Sequence, residues 1–183
     1  MAEDENNPQP AVAPEGAQAA QGPQFGLQRI YLKDSSFESP RSPAVFQSQW
    51  SPKINFDIKT RSNKVQDGLF EVVLVLTAEA VLEEETAFLV EVHQAGIFGA
   101  KDFDDAQLEQ LLATVCPNIL FPYAREAIDA LVVKGSFPAL MLSPINFEAL
   151  YQQQKQAAAK PQSAGNGNGA GAESPETPAP ESE

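Results

Sequence analysis

Residues 116–126 read Cys116-Pro117-Asn118-Ile119-Leu120-Phe121-Pro122-Tyr123-Ala124-Arg125-Glu126, two prolines among large apolar and aromatic side chains in a helical neighbourhood. The stretch is too apolar for a surface loop. Each proline lacks an N–H and crowds the preceding helical turn, so an undisturbed helix is not expected to run through both. The reading is a kink or junction between two helical halves, buried against something large. What that is must come from the rest of the chain.

The helical pattern extends both ways from this junction. Upstream, Leu108, Leu111, Leu112 and Val115 recur at helical spacing, and Asp102 to Asp105 offer an N-cap and first-turn acids that suit the helix dipole. Downstream, Ala127, Ile128, Leu131 and Val132 continue the pattern to Lys134-Gly135, a basic last turn and a glycine stop. Past Pro144, Asn146 can cap a last helix carrying Phe147, Leu150 and Tyr151 on one stripe.

Before the helices lie four strand signals. Residues 27–38 alternate, with Leu27, Arg29, Tyr31, Lys33, Ser35 and Phe37 on one face and Gln28, Ile30, Leu32, Asp34, Ser36 and Glu38 on the other. The proline-rich stretch 40–52 also holds Val45, Phe46 and Trp50, which predicts a crossover lying on the body. Ile54, Phe56 and Ile58 alternate with polar residues, and Asp67-Gly68 marks a turn. Residues 69–82 form the longest candidate, with Phe70, Val72, Leu74, Leu76, Ala78, Ala80 and Leu82 on one face. Glu83-Glu84-Glu85 reverses the chain as a solvated turn. Residues 86–95 then give Phe88, Val90 and Val92 inward and Ala87, Leu89, Glu91 and His93 outward, ending where Gly96 to Gly99 break the strand. Short links after the second and third strands predict an antiparallel sheet, so the fold class is α+β with two C-terminal helices on one face.

At 183 residues and 43% hydrophobic content the chain can bury one sizeable core, but its composition is uneven. Residues 1–24 and 152–183 are rich in Ala, Gln, Gly, Pro and Glu, and their only large aliphatic side chains are Met1 and Val12. Both are expected to be disordered tails around one domain at 25–151. The net charge of −13 leaves the domain acidic as well, a poor match for nucleic acid and a natural one for a basic protein partner. No secretory signal and no membrane-spanning run is legible, so no membrane insertion is expected and the expected location is the cytoplasm.

Catalysis is not supported by the inventory. There is one histidine, His93, and one cysteine, Cys116, with no nucleophile motif around either, which leaves no four-ligand zinc site and no expected cofactor or metal. His93 reads as a plain sheet residue. Asp102-Phe103-Asp104-Asp105 lacks the glycine and closing glutamate of a calcium loop and reads as capping. More informative is the apolar excess: the outward set includes Ile30, Leu32, Val73, Val75, Val81 and Leu89, more than a solvated face carries. The aromatic residues around the loops fit either a core with a subunit interface or an open apolar groove.

Four motifs together carry a family resemblance: Ile30-Tyr31-Leu32-Lys33-Asp34 with Phe37-Glu38, Glu84-Glu85-Thr86-Ala87-Phe88-Leu89, the 116–126 stretch, and Ser143-Pro144-Ile145-Asn146-Phe147-Glu148-Ala149-Leu150. The chain resembles the SecB family of bacterial protein-export chaperones over nearly all of 25–151. The resemblance implies an ATP-independent holdase and a homotetramer built as a dimer of dimers, its long helices between two eight-stranded sheets. Unfolded secretory precursors would be the clients and the SecA ATPase the receiver. It implies a SecA-binding patch at Asp34, Glu38, Leu89 and Glu91, facing SecA's basic C-terminal tail, whose zinc belongs to the partner. It also implies a client groove lined by Trp50, Ile54, Phe56, Ile58, Phe147, Leu150 and Tyr151. A homo-oligomeric assembly module without client binding is the alternative. Outward parity of Asp34, Glu38, Leu89 and Glu91 agrees with the patch.

Overall fold

The computed structural model describes residues 22–159. The greater parts of both expected tails, 1–21 and 160–183, lie outside the described residues. Four strands, β1 (Gln24–Glu38), β2 (Lys53–Gln66), β3 (Leu69–Leu82) and β4 (Glu85–Lys101), precede two helices, α1 (Asp105–Lys134) and α2 (Phe147–Ala159). The sheet order is β1-β4-β3-β2 and every neighbouring pair is antiparallel, as expected from the short links. α2 extends past Tyr151, where composition ended the ordered domain.

The core lies on one face of the sheet. Val72, Leu74, Leu76, Ala78 and Ala80 of β3 and Phe88, Val90, Val92 and Phe98 of β4 are fully buried and meet Cys116, Leu120, Ala124, Ile128 and Val132 of α1. Alternation at period two on the strands and helical spacing on α1 put these residues on facing surfaces, so one apolar layer forms between them. At roughly 1.5–3 kcal/mol per large apolar side chain, this layer is the main favourable term in folding.

Four expectations are corrected. First, α1 is one continuous helix of 30 residues with Pro117 and Pro122 inside it, not two halves. Each proline removes one backbone donor, but Cys116, Pro117, Leu120, Phe121 and Ala124 are all buried, and packing on the sheet offsets the missing bonds. Second, β4 does not break at Gly96 to Gly99. It runs through them to Lys101, and Gly96 is there for space: a Cβ would lie 2.7 Å from the Phe98 ring and 2.9 Å from Leu120 Cδ2. Third, β1 does not keep one parity. Register shifts between Leu27 and Arg29 and between Leu32 and Asp34 turn its middle over, so Ile30 packs with the main core and Tyr31 with a small outer cluster of Val73, Val75 and Ala95. Leu32, facing Gln94, likewise leaves the outward set. Fourth, a similar shift beside Ala80 turns Ala87 into the core.

Local signals hold elsewhere. Asp104 caps α1 by accepting from Gln107 N–H at 2.8 Å, and Gln107 completes the box by accepting from Asp104 N–H. Asn146 caps α2 by accepting from Ala149 N–H at 3.0 Å. The crossover between β1 and β2 contains a short 3-10 turn at Ala44–Gln47 and is tied to the β3–β4 turn by Arg41. Its guanidinium donates to Leu82 O at 3.0 Å and pairs with Glu85 at 2.9 Å and Glu83 at 3.4 Å. The solvated acidic turn thus also anchors the crossover.

Candidate functional site

Two surfaces on opposite sides of the sheet carry the candidate residues. The outer, helix-free face holds the acidic ones. In the β1–β4 register Asp34 lies opposite His93, Ser36 opposite Glu91 and Glu38 opposite Leu89, and directly opposed residues share a face. Asp34, Glu38, Leu89 and Glu91 are therefore brought together on one patch, with the two β1 acids exposed.

Glu91 is held on both oxygens. Thr77 Oγ1 of β3 donates to Oε2 at 2.9 Å, and His93 Nε2 lies 2.8 Å from Oε1. These bonds, His93 foremost and then Thr77, keep the Glu91 carboxyl below its usual range, so it stays charged under ordinary conditions. Farther along the face Tyr31 and Lys33 both donate to Glu71, Lys33 at 2.8 Å. Glu71 is accordingly lowered, by Lys33 first and Tyr31 second, while Glu71 pushes the Tyr31 hydroxyl up to about 12. Tyr31, opposite Ala95, reaches diagonally across β4 to Glu71, whose own β4 partner is Ile97.

The opposite side of the sheet carries the apolar candidates. Ile54, Phe56 and Ile58 of β2 pair with Ala80, Ala78 and Leu76 and so point to the helix side, yet Ile54 is 39% and Phe56 37% exposed. Beyond them a cleft of about 240 Å3 is lined by Ile58, Thr60, Leu112, Phe147, Leu150 and Tyr151. Trp50 sits apart from this cleft. It stands against Phe137 and Phe88, ring centroids 5.2 and 6.3 Å away, beside the half-exposed Phe46.

Among the expected lining residues, Phe147 and Tyr151 are 4% and 6% exposed. Phe147 packs edge-on to Phe121, and the Tyr151 hydroxyl donates to Glu109 Oε1 at 3.1 Å, so both hold α2 against α1. Outside the cleft, the exposed apolar residues of β2 and the crossover include Ile54, Phe56 and Phe46. Thr77 and the ring cluster around Trp50 were not legible in sequence, because cross-strand and crossover neighbours depend on register. Cys116 is fully buried and desolvation pushes its thiol up to about 12.

Among the described residues no helix is long and apolar enough to cross a membrane, and no group of three or more His, Cys, Asp or Glu side chains converges as metal ligands. The four-stranded antiparallel sheet with its two helices thus presents an acidic surface on one side and an apolar one on the other. A family model described as "Preprotein translocase subunit SecB" matches residues 18–158, and the chain belongs to the SecB family. The protein-export protein SecB of Hahella chejuensis is 57% identical over 155 residues, covering 82% of this chain and 98% of that one. The SecB of Pseudomonas syringae pv. tomato is 58% identical over 135 residues, covering 74% and 82%. Among solved structures, a SecB-like chaperone of Mycobacterium tuberculosis in complex with an antitoxin peptide superposes with a TM-score of 0.56 at 17% identity. It covers 66% of this chain and 90% of its own, which supports the shared fold.

Proposed function

We propose that this export chaperone acts as an ATP-independent holdase in the cytoplasm, binding unfolded secretory precursors on the β2 side and passing them to SecA through the acidic face. The carrying observation is the pairing of exposed Ile54 and Phe56 with the edge strand that bears them: β2 is last in the sheet order. An unfolded chain offers apolar side chains and unpaired backbone groups, and an apolar row along an edge strand answers both. Trp50 and Ile58 extend the row at its two ends, with Leu150 beyond. The peptide in the mycobacterial complex supports peptide capture as the mode of binding.

Four such grooves in a homotetramer would raise avidity through effective concentration while each contact stays weak. The face of α1 turned from the sheet exposes Val115, Tyr123 and Val133 at 40%, 51% and 55%, which supports α1 as the assembly surface of a dimer of dimers. That same surface favours the assembly-module reading if clients do not bind. An aggregation assay separates the two: the full chain, equimolar as tetramer with an unfolded precursor and without nucleotide, is expected to suppress light scattering. An intact tetramer that leaves scattering unchanged refutes the holdase.

A further inference from the structure

The sole histidine of the chain sits inside the acidic patch and not beside it. His93 Nε2 is 2.8 Å from Glu91 Oε1, and its side chain is 23% exposed, so the ring is both bonded and reachable by water. A carboxylate can only accept, so Nε2 is the donor in this bond and Nδ1 is the ring's other nitrogen. The surroundings are accounted for strand by strand. On β1 Asp34 faces the ring directly; on β3 Val75 is its opposite number and Thr77 is bonded to Glu91. On β2, Lys59 stands opposite Val75 and Asp57 opposite Thr77, and these two pair with each other at 2.7 Å. Both helices pack on the other face.

We propose that His93 is a titratable positioning residue of the docking patch: neutral, it fixes the Glu91 carboxylate for a basic partner segment, and protonated, it offsets that charge and weakens docking. The inference rests on the acidic face being the docking surface for a basic segment. The patch carries Asp34, Glu38 and Glu91, and one added positive charge at its centre reduces its attraction for lysine and arginine. Imidazoles change charge between about pH 5 and 8, whereas ordinary carboxylates do not, so histidine is the residue that makes such a surface pH-dependent in that interval. At a partly exposed, salt-screened site the expected effect is about three- to tenfold in Kd.

The test uses the full chain and a synthetic Lys/Arg-rich peptide, with Kd measured by fluorescence anisotropy at fixed ionic strength from pH 7.5 to 5.5. Binding by the unaltered chain is expected to weaken about three- to tenfold over that interval. His93→Gln, which keeps a donor but cannot titrate, is expected to bind with a flat profile. His93→Lys, a fixed charge, is expected at pH 7.5 to match the unaltered chain at pH 5.5. An unaltered-chain profile that is already flat, or a His93→Gln profile as steep as the original, overturns the assignment to His93. Glu91→Gln separately probes the underlying reading: if it binds the peptide as tightly as the unaltered chain at pH 7.5, the acidic face is not the docking surface.

Discussion

Replacing Ile54 and Phe56 together by threonine tests whether the β2 row contacts clients. Threonine is β-branched, as Ile54 is, and suits a strand, so the change removes apolar surface while sparing local conformation. In the folded chain Ile54 and Phe56 already lie about three-fifths buried over Ala80 and Ala78, leaving 39% and 37% of their surfaces for a client to cover. Full burial of such a side chain contributes roughly 1.5–3 kcal/mol, so covering the remainder contributes about 0.5–1 kcal/mol each. The pair then gives about 1–2 kcal/mol, a five- to thirtyfold rise in Kd for an unfolded precursor at one groove. Because the two residues are adjacent on one face, the double variant is the appropriate measurement and the sum is an upper bound. Anisotropy of a labelled, permanently unfolded client gives the Kd, with circular dichroism and native mass spectrometry showing that fold and assembly persist. A folded double variant that binds with the original Kd refutes the placement of the groove on β2.

Two other outcomes are expected from the ionisable groups. Glu71 is held below its ordinary range by Lys33 and Tyr31, so its contribution to stability is present above the unfolded-state carboxyl pKa and is lost as pH falls through the lowered folded value. Glu71→Gln is therefore expected to lower Tm at pH 7 and to converge with the original at strongly acid pH; a Tm difference that stays constant down to acid pH contradicts the linkage. Cys116, fully buried and pushed up to about 12, is expected to resist iodoacetamide at pH 8 until denaturant is added. Prompt alkylation of the native chain, followed by mass spectrometry, tells against its burial between α1 and the sheet.

Much of this architecture is legible in the sequence because its signals are local. Alternation set Leu69–Leu82 as a strand with the right residues inward, and Asp102 to Asp105 and Asn146 marked the helix starts. Parity within single strands also aligned Asp34 with Glu38 and Leu89 with Glu91, because the β1 segment from Asp34 onward is regular.

What tertiary structure alone decided depends on partners far apart in sequence. The two register shifts in β1 are fixed by pairing with β4, and they decide that Ile30 faces the core while Tyr31 reaches Glu71. Local rules place a kink or junction at Pro117 and Pro122, yet α1 runs through both without interruption, its proline segment buried against the sheet. Composition identified aromatic residues near the last helix but not that Phe147 and Tyr151 are buried while Ile54 and Phe56 remain open. Nor could periodicity pair His93 and Thr77 with the one carboxylate of Glu91. Sequence periodicity says which way a side chain points; the register and docking of elements decide what it meets there.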